Sequence, residues 1–425
     1  MKWNVKSSKI SGSIVIPPSK SHTIRALLIA SLANGISRIE RSLVSGDGAS
    51  AIGAAKSMGA RIEQKDNCLI VTGIAGNYDL GDSSFDMGNS GTSTNLFASA
   101  AALGGRARRM DGDSSLRMRP VKPLLEALSR IGASYKLEAA GWDLPFVVKG
   151  PLKGGKTIVD GISSQFVSSL LLSCPLAPSD TDIEVVNIHE RPYIEITLWW
   201  LDKMGIKYEK NSELSHFHIY GGQSYKPMEM KIPGDFSSAT FPAVAAAVTG
   251  IGVDIKGIDF TDPQGDKKIF DILEAFGVNV RRDRFSAHIE ASLLIGAEID
   301  LNEMPDALPA VAVLGCASRG VTRIVNVAHA RIKETDRIKV MAEELTKMGA
   351  FIHEEKDGLT IHHSILRGAK VDGCGDHRVV MALAMAGMIA EGETVIDTAE
   401  SAAVTYPTFV EDFLNLGARI SIVEG

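Results

Sequence analysis

Apolar residues recur at helical spacing over 121–131, where Val121, Leu124, Leu125, Leu128 and Ile131 form one stripe among mostly polar neighbours. Steps of three and four place them on one face of a helix. Gly132 follows where a helix C-cap glycine belongs. Ser134-Tyr135-Lys136-Leu137 then alternates, and after a Gly-containing turn a second strand is predicted over 145–148. The same order of amphipathic stretch, large apolar residue, Gly and strand ends at Met58-Gly59, Ile131-Gly132, Met204-Gly205, Phe276-Gly277, Met348-Gly349 and Leu416-Gly417. These glycines lie 73, 73, 72, 72 and 68 residues apart. So regular a period marks one supersecondary unit used six times. In the fifth copy the helix is predicted to end near Met348, with strands flanking Asp357-Gly358, a hairpin dipeptide.

A second, different segment precedes each amphipathic one. The six begin at Thr23-Ile24-Arg25, Thr92-Ser93-Thr94, Gln165-Phe166-Val167, Ser238-Ala239-Thr240, Ala307-Leu308-Pro309 and His377-Arg378-Val379, and each runs on into Ala/Leu/Val-rich sequence. A helix apolar nearly all round belongs inside a core. Each unit therefore reads as βαβαββ with one buried and one half-buried helix. The fold class is α/β (α+β) with sheets outside helices, unlike a TIM barrel, whose strands are central.

Composition narrows the class. A chain of 425 residues with 45% hydrophobic content suits roughly two to three domains. A net charge of -6 argues against a nucleic-acid partner, which favours a strongly basic face. Cys68, Cys174, Cys316 and Cys374 lie far apart without a CxxC pair, as in a reduced cytoplasmic protein, and imply no metal site. The opening Met1-Lys2-Trp3-Asn4 does not lead into a signal-like apolar stretch. The longest apolar run, 379–390, is too short to span a membrane.

Polar groups introduce every buried helix: Lys20-Ser21, Asn89-Ser90-Gly91-Thr92, Ser163-Ser164-Gln165, Asp235, Asp306 and Asp376-His377. Singly, such residues are ordinary helix caps. Together, helix N-termini also attract anions. If the repeats group three and three, two sets of these ends face each other across a cleft suited to a ligand with several negative charges. Basic segments gather at the same places: Lys20-Ser21-His22-Thr23-Ile24-Arg25, Arg117-Met118-Arg119 and His377-Arg378. The densest run is His329-Ala330-Arg331-Ile332-Lys333-Glu334-Thr335-Asp336-Arg337. Its alternating charges would ordinarily mark a solvated helix start. Arginine clusters in an otherwise acidic chain instead suggest a focused positive site for carboxylates and phosphates.

With these segments in order along the whole chain, the sequence resembles the 5-enolpyruvylshikimate-3-phosphate synthase family. Gly88-Asn89-Ser90-Gly91-Thr92, Leu116-Arg117-Met118-Arg119-Pro120, Ser163-Ser164-Gln165-Phe166, Pro305-Asp306-Ala307, Lys333-Glu334-Thr335-Asp336-Arg337 and Asp376-His377-Arg378 carry the likeness. The resemblance implies two inside-out globes of three repeats each. One globe would take residues 1–18 plus 233–425 and the other 19–232, with the active site in the cleft between them and the opening strand crossing over. It implies transfer of the enolpyruvyl group of phosphoenolpyruvate to the 5-hydroxyl of shikimate 3-phosphate, on the route to chorismate, through a tetrahedral ketal phosphate. Neither a cofactor nor a metal is implied, and the chain would be a cytoplasmic monomer.

The resemblance also implies residue roles. Ser21 and Arg25 would hold the shikimate carboxylate, and Ser163 and Ser164 its phosphate, with Tyr193, His329 and Lys333 around the same molecule. Arg119, Arg337, Arg378, Asn89, His377 and the backbone at Gly91 would hold phosphoenolpyruvate. Gln165 would lie between the substrates and Lys20 would touch both. Asp306 would accept the proton of the attacking hydroxyl, and Glu334 would protonate the methylene carbon. Opposed acid and base are what such an addition and elimination require.

Four positions depart from the family pattern. Glu190 stands for a phosphate-binding serine, His329 for an asparagine, Asn95 for an arginine and Val404 for a lysine. Three alternatives therefore stand beside the main reading. A transferase acting on UDP-N-acetylglucosamine would usually carry a cysteine within 105–113, and none occurs there. An RNA 3′-phosphate cyclase would need a nucleotide-reactive histidine and a basic face, and neither is evident. A repurposed binding protein is motivated by the four departures and opposed by the intact Lys20, Asp306, Glu334 and Arg337.

Overall fold

All six period glycines have left-handed backbone, with φ from +68° at Gly205 to +115° at Gly132. In every copy the residue after the glycine donates its N–H to the carbonyl five positions back. The bonds are Ala60 to Ala55, Ala133 to Leu128, Ile206 to Leu201, Val278 to Leu273, Ala350 to Leu345 and Ala418 to Phe413, all between 2.9 and 3.1 Å. This is the Schellman closure, which satisfies carbonyls that a helix end leaves unpaired. It ends the amphipathic helices Gly46–Ser57, Lys122–Arg130, Arg191–Met204, Ile269–Ala275, Arg337–Lys347 and Phe409–Asn415.

The computed structural model describes residues 1–423. They fall into two compact units. One is Pro18–Ile232, and the other joins Met1–Pro17 to the chain from Pro233 onward. Each unit holds three buried helices: Lys20–Leu32, Gly91–Ala101 and Ser164–Ser173 in the first, Phe236–Thr249, Leu308–Ala317 and His377–Ile389 in the second. In Leu308–Ala317 every residue as far as Cys316 is buried. In the second unit the three buried helices pack against one another in every pairing. In the first, Lys20–Leu32 and Ser164–Ser173 both pack on Gly91–Ala101, and Arg191–Met204 packs against both of them.

Six four-stranded sheets cover these helices. Strand Ile36–Glu40 shows the pattern: Ser37 and Ile39 are buried and their neighbours exposed. One solvated face is typical of antiparallel hairpins. Each sheet adds one parallel strand, as Ser84–Asp86 does beside Arg108–Asp111. Three sheets are completed from elsewhere in the chain. Glu229–Lys231 runs parallel to Ile36–Glu40 and closes the first repeat. Ser11–Val15 runs parallel to Gly252–Lys256 and closes the fourth. Lys2–Lys6 lies antiparallel between Glu393–Asp397 and Arg419–Val423 and closes the sixth.

Two local expectations need correction. The turn in the fifth repeat falls at Lys356-Asp357, because Gly358 already pairs with Glu355 in the strand ladder. Gly358 is required there for room, since a Cβ would stand 1.8 Å from the Ile324 carbonyl oxygen. Asp306 caps no helix. It sits in the 3₁₀ turn Pro305–Ala307, and helix Leu308–Ala317 starts without a side-chain cap. Among the described residues no helix is long and apolar enough to cross a membrane.

Gly349 tests the closing motif cleanly. Its φ is +91°, and an added Cβ would meet nothing nearer than Ile365 O at 3.8 Å. Gly349→Ala should therefore cost only the left-handed penalty, about 1–2 kcal/mol. Urea unfolding should show a lower midpoint with an unchanged slope; an unchanged midpoint would contradict the motif's role.

Candidate active site

Many of the expected site residues lie at or beside the N-terminal ends of the buried helices, where four N–H groups per helix lack intrahelical partners. In the unit that begins at Pro18, Ser19 caps Lys20–Leu32 by accepting from His22 N. Lys20 then projects from the first turn, and its Nζ lies 3.3 Å from Asp47 Oδ2, both largely shielded. Arg25, one turn on, is 1% exposed. Its Nε donates to Thr197 Oγ1 at 2.8 Å, Nη1 to the Ser21 carbonyl at 3.0 Å, and Nη2 to Ser168 Oγ at 3.2 Å and the Tyr193 carbonyl at 3.1 Å. Four of its five N–H groups are thus engaged, all by neutral acceptors. Burial pushes this guanidinium down to about 10, with Tyr193 pulling weakly the other way. A buried cation held only by neutral groups favours an incoming anion.

The second buried helix starts at Gly91, behind the cap Ser90. Arg119 lies over that start. Its Nη2 donates to Asn89 Oδ1 at 2.6 Å, and a Cβ on Gly91 would stand 3.0 Å from Arg119 Nη1. Glycine is what lets the guanidinium settle on the helix end. Asn89 in turn donates to Asp113 Oδ2 at 2.6 Å. The third helix carries two adjacent serines with different tasks. Ser163 caps it, accepting from Gln165 N, whereas Ser164 donates to Glu190 Oε2 at 2.8 Å. The Gln165 amide is oriented from two sides: Asn95 Nδ2 donates to its Oε1 at 2.7 Å, and its Nε2 donates to Thr92 Oγ1 at 3.1 Å. The structure thus brings Asn89, Gly91, Arg119 and Gln165 to one place, and Arg25, Ser21 and the Tyr193 backbone to another.

In the other unit an arginine organises three carboxylates. Arg337 is the first residue of its helix and is 1% exposed. Its Nε donates to Asp376 Oδ2 at 2.7 Å, Nη1 to Asp306 Oδ1 at 2.7 Å, and Nη2 to Glu334 Oε2 at 2.6 Å. Burial works to lower its pKa, but Asp376, then Glu334 and Asp306, outweigh it and hold the guanidinium above its ordinary value. Arg378 adds a second cation, its Nη2 2.7 Å from Asp306 Oδ2. Asp376 is fully buried and also caps His377–Ile389 by accepting from Arg378 N, so one carboxylate fixes both the helix start and the arginine. His377 is buried beside it, with Nδ1 3.8 Å from Asp376 Oδ1. His329 lies buried on the 3₁₀ turn Ala328–Ile332, and Lys333 follows on the way into this cluster.

The run 329–337 thus forms part of a charge cluster around the buried Arg337 rather than an ordinary solvated helix start. Arg331, in the same run, serves the backbone instead: it pairs with Asp336 and Glu354 and donates to the Lys356 and Glu355 carbonyls. Asp376 and Asp47 were not among the expected site residues. Asp376 had a signal, since it directly precedes His377-Arg378; nothing in the local sequence links Asp47 to Lys20. Among the described residues no group of three or more His, Cys, Asp or Glu side chains is arranged to hold a metal ion.

Comparison with known proteins shows the family to which the chain belongs. The family model for EPSP synthase (3-phosphoshikimate 1-carboxyvinyltransferase) matches residues 5–413. A 3-phosphoshikimate 1-carboxyvinyltransferase of Acetivibrio thermocellus is 50% identical over 424 residues, covering 100% of both chains. EPSP synthase of Acinetobacter baumannii superposes with a TM-score of 0.83 at 25% identity over 100% of both chains. The enolpyruvyl transferase NikO of Streptomyces tendae shares the fold, with a TM-score of 0.81 at 18% identity over 99% of this chain and 98% of its own.

Asp376→Ala removes one partner of a fully buried ion pair and the cap of a buried helix. Breaking such a pair leaves a desolvated charge, and the loss here should reach about 3 kcal/mol because Asp306 and Glu334 still serve Arg337. Chemical denaturation measures it. A loss below about 1 kcal/mol, the worth of a helix cap alone, would show that Asp376 does not hold Arg337.

Proposed function

We propose that this chain, which belongs to the EPSP synthase family, transfers the enolpyruvyl group of phosphoenolpyruvate to the 5-hydroxyl of shikimate 3-phosphate and releases phosphate. The reaction is a step of the shikimate pathway that leads to aromatic compounds. The observation that carries the mechanism is the placement of Asp306 and Glu334 on the two ends of one guanidinium, itself held at Nε by Asp376. Arg337 thereby spaces a base and an acid from each other.

Phosphoenolpyruvate is a multiply charged anion, and Arg337, Arg378, Arg119 and Lys20 supply the cations that meet it, with His377 beside them. As its oxygens take over guanidinium N–H groups, Glu334 loses a charge partner. Its carboxyl then favours the protonated form, which is what a donor to the methylene carbon needs. Protonation leaves the adjacent carbon electron-poor. The acceptor hydroxyl adds there as Asp306 takes its proton, giving the tetrahedral intermediate. Loss of phosphate and of a methyl proton restores the enol ether. Arg25, whose hydrogen bonds all run to neutral acceptors, suits the shikimate carboxylate with Ser21, and the helix start at Ser163 and Ser164 suits the 3-phosphate. Holding two substrates in register removes several kcal/mol from the barrier, up to roughly 7–11 in favourable cases. Lys20, Arg25, Arg119, Ser163 and Ser164 belong to one compact unit, and Asp306, Glu334, Arg337, His377 and Arg378 to the other.

Phosphate release from phosphoenolpyruvate should appear with shikimate 3-phosphate and not with UDP-N-acetylglucosamine. Absence of turnover with the first acceptor at millimolar substrate would defeat the reading. Glu334→Gln should lower kcat by about 10²–10⁴-fold while KM values move little, the range for loss of a general acid. Parental turnover in that variant would remove Glu334 from proton transfer.

A further inference from the structure

The third buried helix is where the proposed function places the acceptor's phosphate, yet the chain already sets an anion there. Glu190 is 2% exposed, and its Oε2 accepts the Ser164 hydroxyl at 2.8 Å. Its backbone is left-handed, with φ 54° and ψ 41°. That conformation costs a residue with a side chain about 1–2 kcal/mol and is uncommon outside Gly and Asn. Glu190 directly precedes helix Arg191–Met204, but its side chain makes no capping bond to that helix. Its backbone carbonyl accepts from Tyr193 N at 3.0 Å, so the left-handed residue starts that helix through the main chain while its side chain is directed elsewhere. It aims a carboxylate at the first turn of a different helix, Ser164–Ser173.

A serine hydroxyl has one proton to donate. When Glu190 receives it, a phosphate cannot. A carboxylate and a phosphate at neighbouring positions also repel strongly in a partly desolvated site. The two anions thus exclude each other at Ser164.

We propose that Glu190 is a specificity-determining residue of the acceptor subsite, an internal carboxylate that competes with the acceptor's phosphate for Ser164. The inference rests on the reading of Ser163 and Ser164 given above. In the unliganded chain Glu190 occupies the helix start. A phosphorylated acceptor displaces it by forming its own bond to Ser164, while contacts elsewhere on the acceptor offset the loss. Small inorganic anions lack those further contacts and are kept out. The subsite therefore gives up acceptor affinity in return for selection against free anions.

Steady-state kinetics of Glu190→Gln tests this, because the amide keeps the shape and an acceptor oxygen for Ser164 but removes the charge. The KM for shikimate 3-phosphate should fall at least about tenfold, as expected when a like charge near a phosphate is removed. The KM for phosphoenolpyruvate should stay within about twofold. Glu190→Ser, as an independent substitution, should lower the acceptor KM at least as far. An acceptor KM that is unchanged or raised in either folded variant overturns the proposal. So does turnover of unphosphorylated shikimate by the parent at a KM no higher than that for the phosphorylated form, since Glu190 would then be reading a hydroxyl. Failure of the underlying function is distinguishable: no protein, parent or variant, would release phosphate with shikimate 3-phosphate.

Discussion

A helix that is apolar on every side must be shielded on every side, and most of this chain's architecture answers that requirement. One βαβαββ unit offers a single sheet and a single half-buried helix, which together cover only part of such a cylinder. Three units placed with their buried helices side by side cover one another, and their sheets take the outside. The same requirement decides where polar chemistry is tolerated. Along the buried helices a charged side chain is costly. At their first turns unpaired N–H groups already demand polar partners. Ser19, Ser90, Ser163, Asp235 and Asp376 answer that demand as caps. Lys20, Arg25, Gln165 and Arg378 enter the interior beside them.

Two buried arginines show how partners rather than burial decide what a site attracts. Arg25 and Arg337 are each 1% exposed. Arg25 meets carbonyls and hydroxyls, and desolvation pushes its pKa down to about 10. Arg337 meets three carboxylates, and their field overrides desolvation. The first is a cation short of an anion, suited to receiving one from a ligand. The second already faces three carboxylates, so a ligand anion competes with them for its N–H groups. That exchange links binding to protonation state, because the displaced carboxylate loses the charge that kept it ionised.

The period, the glycine ends and the buried helices were legible because each follows from local chemistry: apolar spacing, left-handed backbone and side-chain polarity. The motif residues were legible as a set because they fall at helix starts. Closure of the sheets was not. Lys2–Lys6 pairs with strands nearly the whole chain length away, and Glu229–Lys231 returns to the first repeat. No short-range pattern encodes such partners. The directions of charged side chains were equally hidden. Lys20 with Asp47, and Arg331 with the Glu354 carboxylate and the 355–356 carbonyls, depend on which segments the fold makes neighbours.

Fold and function compete for the same few side chains at the helix starts, and the repeats resolve that competition differently. Five of the six buried helices spend a Ser or Asp on the backbone N–H groups that need it. The fifth repeat begins its helix from a 3₁₀ turn with no side-chain cap, and Asp306 is left to reach Arg337 and Arg378. The third repeat keeps both tasks by doubling the serine, so Ser163 caps and the buried Ser164 bonds Glu190. The sixth uses one aspartate for both, which is possible because Asp376 Oδ1 accepts from Arg378 N while Oδ2 accepts from Arg337 Nε. Repetition thus supplies equivalent helix starts, and chemistry enters where a copy is released from capping or carries a second polar group.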